Sequence, residues 1–162
     1  MNRIVNINII STMLVFSLLF SREIEGIKAD ITPTIMNDGK EYTFTLKDGL
    51  TCHDGEALTA EDAAYSFNRV ADPDMAFTGN SAGFVYKSID FKEARADGDR
   101  DVTIVLGGPN HIALGLIAEV YVHCKDSYEK MSKEEAATNP IGSGPYEFVK
   151  WDKGSQIVMK KA

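Results

Sequence analysis

The sequence predicts an α+β fold, a mixed and mostly antiparallel sheet with short helices. Three observations lead there: alternating apolar segments at 42–46 and 102–106, Asp-Gly pairs that separate such segments, and one capped amphipathic helix beginning at Ala60.

Tyr42, Phe44 and Leu46 alternate with Thr43 and Thr45, so one face of a strand is apolar and the other polar and β-favouring. Asp38-Gly39 precedes this strand and Asp48-Gly49 follows it. Gly accepts positive φ and the Asp side chain bonds nearby backbone, so both pairs are read as turns. Thr59 stands three residues before Asp62, a capping-box spacing, and Glu61 and Asp62 set negative charge at the positive end of a helix dipole. A helix therefore starts at Ala60. Its Ala60, Ala63, Ala64, Phe67 and Val70 or Ala71 form one apolar stripe, and Asp72-Pro73 ends it.

Farther on, Ile89 and Phe91 alternate with charged residues, Asp97-Gly98 turns the chain, and Val102, Ile104 and Leu106 alternate with Thr103 and Val105. This pattern predicts a hairpin or an adjacent antiparallel pair, stopped by Gly107-Gly108-Pro109. Residues 112–120 read as a short apolar helix that buries Leu114, Leu116, Ile117 and Val120. A short strand is expected at 121–123, then a polar helical stretch at 126–137 with Ser132 as a second cap. Two prolines and two glycines in Asn139-Pro140-Ile141-Gly142-Ser143-Gly144-Pro145-Tyr146 exclude regular structure there. Tyr146, Phe148 and Trp151, then Gln156-Ile157-Val158-Met159, predict a last strand pair around Asp152-Lys153-Gly154.

The chain has 162 residues, 44% apolar and 25% charged, which fits one domain with a core. Its formal charge of −7, with no Lys/Arg cluster, argues against a nucleic-acid partner. Residues 4–20 carry no charge and follow Arg3. They read as a secretory signal sequence ending near Ile27-Lys28-Ala29, as an uncleaved anchor, or as a buried apolar helix. The division expected is thus 1–29 for signal or anchor and 30–162 for the folded domain. Removing 1–29 takes away three basic and two acidic residues, so −7 becomes −8.

Candidate chemistry is sparse. Cys52-His53-Asp54 and His123-Cys124 supply metal-ligating side chains, but neighbours on a strand face opposite ways and no CxxC, HxxxH or HExxH spacing occurs. No metal or cofactor site is expected. His53 is read as a turn residue, and Cys52 as core filling or as one half of a disulfide with Cys124, a pairing the spacing leaves open. Ser143 in Gly142-Ser143-Gly144 lacks the strand-to-helix setting of a nucleophile elbow. No catalytic residue is assigned, and a small hydrolase using Ser143 is set aside. Gly142 and Gly144 suit either a tight connection or close approach of backbone to a ligand, and no solute-contacting residue is named.

Two blocks, their order and their spacing resemble the family 5 extracytoplasmic solute-binding proteins, the peptide-, dipeptide-, oligopeptide- and nickel-binding receptors of ABC importers. The first is Asp38-Gly39-Lys40-Glu41-Tyr42-Thr43-Phe44-Thr45-Leu46-Lys47-Asp48-Gly49 with His53-Asp54-Gly55 and Leu58-Thr59-Ala60-Glu61-Asp62. The second is the loop of residues 139–146. Cys52 stands where the family usually has Phe, and Ser143 where it usually has Thr.

The likeness spans about residues 37–160. It implies a partial lobe of a periplasmic-binding-protein type II fold, chiefly the accessory subdomain. It further implies a substrate-binding component that captures peptides or similar small solutes outside the cytoplasmic membrane, periplasmic or anchored through residues 4–20, with an ABC permease as partner and no chemistry on the solute. One lobe cannot surround a solute, so the chain alone is expected to bind weakly or not at all. The alternative is a secreted or anchored interaction module that docks through exposed apolar surface.

Overall fold

The computed structural model describes residues 33–76 and 84–162, together with the backbone of Ile4–Asn8. Four strands form the principal sheet: β2 (Thr34–Met36), β3 (Glu41–Thr45), β4 (Phe91–Ala96) and β5 (Asp101–Leu106), in the order β2-β3-β5-β4 and antiparallel throughout. A second sheet contains β1 (Ile4–Asn8), β6 (Tyr146–Asp152) and β7 (Gln156–Lys161), in the order β1-β7-β6, also antiparallel. The helices are α1 (Ala60–Ala71), α2 (Tyr86–Ser88), α3 (Ala113–Ile117), α4 (Lys125–Glu129) and α5 (Lys133–Thr138).

The turn between β2 and β3 is left-handed at three consecutive residues, Asn37, Asp38 and Gly39, with φ of 50°, 54° and 81°. Asn, Asp and Gly tolerate that region best, so this sequence closes a tight hairpin where β-branched residues would be strained. The strand β2 itself has no counterpart in the sequence reading. It is three residues long and wholly exposed, so it has no burial pattern to betray it.

α1 begins at Ala60, as its cap predicts. The Thr59 amide donates to Asp62 Oδ2 at 2.8 Å, and the Asp62 amide donates back to Thr59 Oγ1 at 3.4 Å. Ala60, Ala63, Ala64 and Phe67 are buried, and their small size lets the helix lie close on β4 and β5. They share a core with Tyr42, Val85, Tyr86, Ile89, Val102, Ile104 and Leu106. Asn68 on the same helix completes the outer edge of β4: its amide donates to Ala94 O at 2.7 Å and accepts from the Ala94 amide at 2.8 Å. A side chain thus does the work of a further strand at one residue.

The hairpin of β4 and β5 forms as expected, with one difference. Ile89 is buried as the cap of α2, ahead of the strand, and Asp90 has a φ of 48°. The strand starts only at Phe91, because Asp90 redirects the chain. The Gly107 amide then donates to the Asp90 carbonyl at 2.8 Å, and a Cβ on Gly107 would fall 1.7 Å from the Asp90 carboxylate. A side chain there would have to displace the exposed ends of Asp90 and Lys92.

Thr103, on the face of β5 opposite Val102, Ile104 and Leu106, is also buried. Its hydroxyl pairs with Thr43 Oγ1 at 2.8 Å and donates to Asp97 Oδ2 at 2.6 Å, which satisfies it in place of water.

The stretch 112–120 is helical only over Ala113–Ile117, and Leu114 is 43% exposed where burial was expected. A helix this short turns one face inward; Ala113 and Ile117 occupy it, and Leu114 lies outside it. Residues 121–123 contribute one isolated bridge, His123 to Gly142, rather than a strand. The polar stretch 126–137 is two helices, divided where Ser132 accepts the Glu135 amide at 3.1 Å and so caps α5.

β6 and β7 close through a turn with Gly154 at φ 82°. A register shift between Phe148 and Lys150 places Tyr146, Phe148 and Trp151 of β6 on the same face as Ile157 and Met159 of β7. None of these five is buried. The backbone of Ile4–Asn8 is extended and pairs with β7 from Ile4↔Lys160 to Asn8↔Gln156. The rest of the stretch read as signal, anchor or buried helix lies outside the described residues. Among those described, no helix is long and apolar enough to cross a membrane.

Candidate functional site

The two sequence blocks that carry the family resemblance meet in space, and His53 is where they join. The chain from Leu50 to Leu58 folds back on itself, with Leu58 N–H donating to Leu50 O at 2.9 Å and Gly55 turning at φ 91°. This places His53 against the loop of residues 139–146. The His53 amide donates to Gly142 O at 2.8 Å, the Gly142 amide donates to His53 Nδ1 at 3.3 Å, and His53 Nε2 lies 2.9 Å from Gly144 O. A carbonyl only accepts, so the network assigns the proton to Nε2 and leaves Nδ1 as the acceptor. Both ring nitrogens of a neutral imidazole are therefore used to hold backbone 89 and 91 residues away.

A third segment is fastened to the same place. Cys52 and Cys124 form a disulfide with Cα atoms 6.2 Å apart, across 72 residues of sequence. Ser127 Oγ donates to the Asp54 carboxylate, and this bond holds that carboxyl below its ordinary range. Asp62 secures the other side: Oδ2 takes the Thr59 amide and hydroxyl, while Oδ1 accepts the Lys125 amide at 2.8 Å. One carboxylate, 8% exposed, thus caps α1 and receives the first amide of α4. Ser66 ties the His123 backbone to α1: its hydroxyl accepts from the His123 amide at 2.7 Å and donates its one proton to the Asp62 carbonyl at 2.7 Å, with the His123 carbonyl farther off at 3.2 Å.

His123 packs its ring on Tyr128, with centroids 4.5 Å apart, and Arg69 lies 5.2 Å from the centre of the same Tyr128 ring. Burial, aided by the Arg69 charge, pushes the His123 pKa down to about 4. This imidazole is neutral at pH 7. Arg69 Nε is buried without a hydrogen-bond partner.

The candidate metal ligands are brought close after all, but the two sulfurs are bonded to each other and His53 is occupied on both nitrogens. No group of three or more His, Cys, Asp or Glu side chains with ligating geometry occurs among the described residues. Ser143 sits in a loop that runs into β6, so its context is loop-to-strand. Sequence reasoning gave His53 a local turn role and left the disulfide open. The place of His53 within the first resemblance block, with Cys52 directly before it, was the available signal.

The described residues enclose hollows on both sides of α1. One, of about 420 Å³, lies between the end of α1 and α2, lined by Val70, Asp72, Pro73, Tyr86, Lys87 and Phe91 among others. The other, of about 270 Å³, is almost entirely apolar and lies between the sheet, α1 and the segment after α3.

Hydrogen bonds and a disulfide thus fix three loops to one another. The sheet-and-helix architecture is that of a partial lobe of a type II periplasmic binding protein. The chain belongs to the bacterial extracellular solute-binding proteins of family 5, whose middle-region profile matches residues 24–162. It is 30% identical over 135 residues to protein XP55 of Streptomyces lividans, covering 83% of this chain and 24% of that protein. It is 26% identical to the dipeptide-binding protein DppE of Bacillus subtilis, covering 80% of this chain and 26% of that one. The crystal structure of the ABC transporter substrate-binding protein CtaP of Listeria monocytogenes superposes with a TM-score of 0.68 at 30% identity, over 81% of this chain and 27% of that chain. The chain thus spans about a quarter of the length of the proteins it matches. The family consists of solute-binding proteins, and its description places it outside the cell membrane.

Proposed function

We propose that this chain supplies part of one lobe of the substrate-binding component of an ABC importer. The assembled receptor captures peptides or similar small solutes outside the cytoplasmic membrane and hands them to a permease. Residues 1–29 direct export or anchor the chain, a role that competes with the pairing of Ile4–Asn8 to β7. The observation that carries this reading is the junction at His53, where the two blocks that resemble the family are bonded to each other. The role is structural and non-enzymatic: the junction sets the angle at which the chain enters β6, and no solute is transformed. Peptide specificity is inferred from relatives named for dipeptide binding.

A chimera tests it. Residues 33–162 of this chain replace the matching segment of the Bacillus subtilis dipeptide-binding protein, and dipeptide binding is measured by calorimetry. Retained binding is expected; a folded chimera that has lost binding overturns the scaffold assignment. Calorimetry on the chain alone with mixed short peptides is expected to give no micromolar binding, because a single lobe leaves most of a solute in water.

A second reading, a secreted or anchored interaction module, is favoured by one observation. The face of β6 and β7 that carries Tyr146, Phe148, Trp151, Ile157 and Met159 is apolar and unburied, with Trp151 43% exposed. Such a face seeks a cover. Light scattering distinguishes the readings: a monomer supports the receptor lobe, and a dimer that a Trp151→Lys variant dissolves supports the module.

A further inference from the structure

We propose that residues 139–146 form a lid over the Cys52–Cys124 disulfide, that His53 is its latch, and that a dithiol reaches the bridge only when this lid opens. Cys52 is 4% exposed and Cys124 1%, so a reductant or oxidant in solution does not meet either sulfur in the closed fold. Part of the cover is backbone from the lid itself: the Gly142 carbonyl oxygen lies 3.9 Å from Cys124 Sγ. Two residues after Cys52, the Asp54 carboxylate is kept ionised by its bond from Ser127. Exchange is carried out by a thiolate, and both the carbonyl and the carboxylate present negative charge to one.

The chemistry needs a direct line to sulfur. A thiolate of the dithiol attacks one sulfur, the S–S bond breaks and the other cysteine leaves as a thiolate; the second thiolate of the dithiol then displaces the first cysteine from the mixed disulfide. Two electrons and two protons pass to the cysteines, and the dithiol ends as a cyclic disulfide. The reverse reaction installs the bridge, so the lid controls both directions. The bonds that hold it include the His53 ring to the Gly142 amide and the Gly144 carbonyl, the His53 amide to Gly142 O, and a bridge between His123 and Gly142. Residues 139, 140 and 144–146 are exposed, whereas the principal core is built from α1, β4, β5 and their neighbours. Releasing the loop therefore costs less than unfolding the core, and it is the easier route to the sulfurs.

The test uses the full oxidised chain and dithiothreitol at about pH 8, where a useful share of the reagent is thiolate. Released thiols are trapped with a maleimide and followed in time by mass spectrometry. His53→Ala removes both ring bonds to the lid and should speed reduction about tenfold or more. Asn68→Ala weakens the fold at the edge of β4, away from the lid, and should leave the rate within about twofold of wild type. Wild-type reduction should also change little in low urea, because opening one loop exposes little surface. That measurement decides the matter if H53A does not fold. Equal rates in wild type and H53A, equal acceleration by N68A, or a urea slope matching that of global unfolding would each overturn the proposal.

Discussion

Replacing both Cys52 and Cys124 with serine removes the one covalent constraint among the described residues. The bridge closes 72 residues, and the loop-closure relation for that length gives about 15 cal/mol/K, or about 4 kcal/mol at 25 °C. A domain of this size is typically stable by about 5–15 kcal/mol, so the loss is a large fraction of the whole. The native geometry should survive, because His53 still holds Gly142 and Gly144 and Asp54 still holds Ser127. The entropic account therefore puts the effect in the unfolded chain, which expands when the bridge is gone. Urea unfolding should show a lower midpoint and a steeper m-value for the C52S/C124S variant. Amide exchange at residues 142–144, measured below the unfolding transition, should change no more than the global stability dictates. A loss under about 1 kcal/mol would refute the loop-closure magnitude. Selective loosening of that loop would show instead that the bridge acts on the folded state.

Three other outcomes are expected. Asp62→Ala removes acceptors for the Thr59 and Lys125 amides and should cost about 2–4 kcal/mol by chemical denaturation, since charge-assisted bonds and a helix cap are lost together; a loss within experimental error would remove Asp62 as the joint between α1 and α4. Asn68→Ala uncovers the Ala94 backbone and should cost about 1–2 kcal/mol, with faster amide exchange at Ala94 than at its neighbours in β4; unchanged protection there would contradict the edge-cover role. His123 has a folded pKa of about 4, below the ordinary 6.5, so the unfolded chain takes up its proton first. Its contribution is therefore complete above pH 6.5 and is lost as pH falls toward 4, about 3 kcal/mol in all. Stability profiles of wild type and His123→Gln should converge toward acid pH, and parallel profiles would show that the burial of this imidazole has no such effect.

The elements legible in the sequence are those whose cause is local. The Thr59–Asp62 box and the alanine stripe fix α1 because a helix start and its buried face depend on residues three and four apart. The Asp97-Gly98 turn and the alternation before Leu106 fix the second strand of the hairpin in the same way. The exposure of Leu114, the place of Ile89 and the burial of Thr103 are not written in the local pattern, because they depend on what packs opposite and on where the chain turns. Leu114 faces solvent from a helix with a single inward face, Ile89 precedes its strand because Asp90 turns the chain, and Thr103 finds Thr43 and Asp97 across the sheet.

The sequence by itself determined the α+β class, the start of the principal helix, the turn positions and the family, since short-range spacing encodes all four. Tertiary structure decided what the signature residues are for. His53 reaches across 89 and 91 residues, Asp62 across 63 and the disulfide across 72. No local pattern specifies a partner at that separation, because such contacts form only when packing of the intervening sheet and helix brings the loops together and the bonds then outweigh the entropy of closing them.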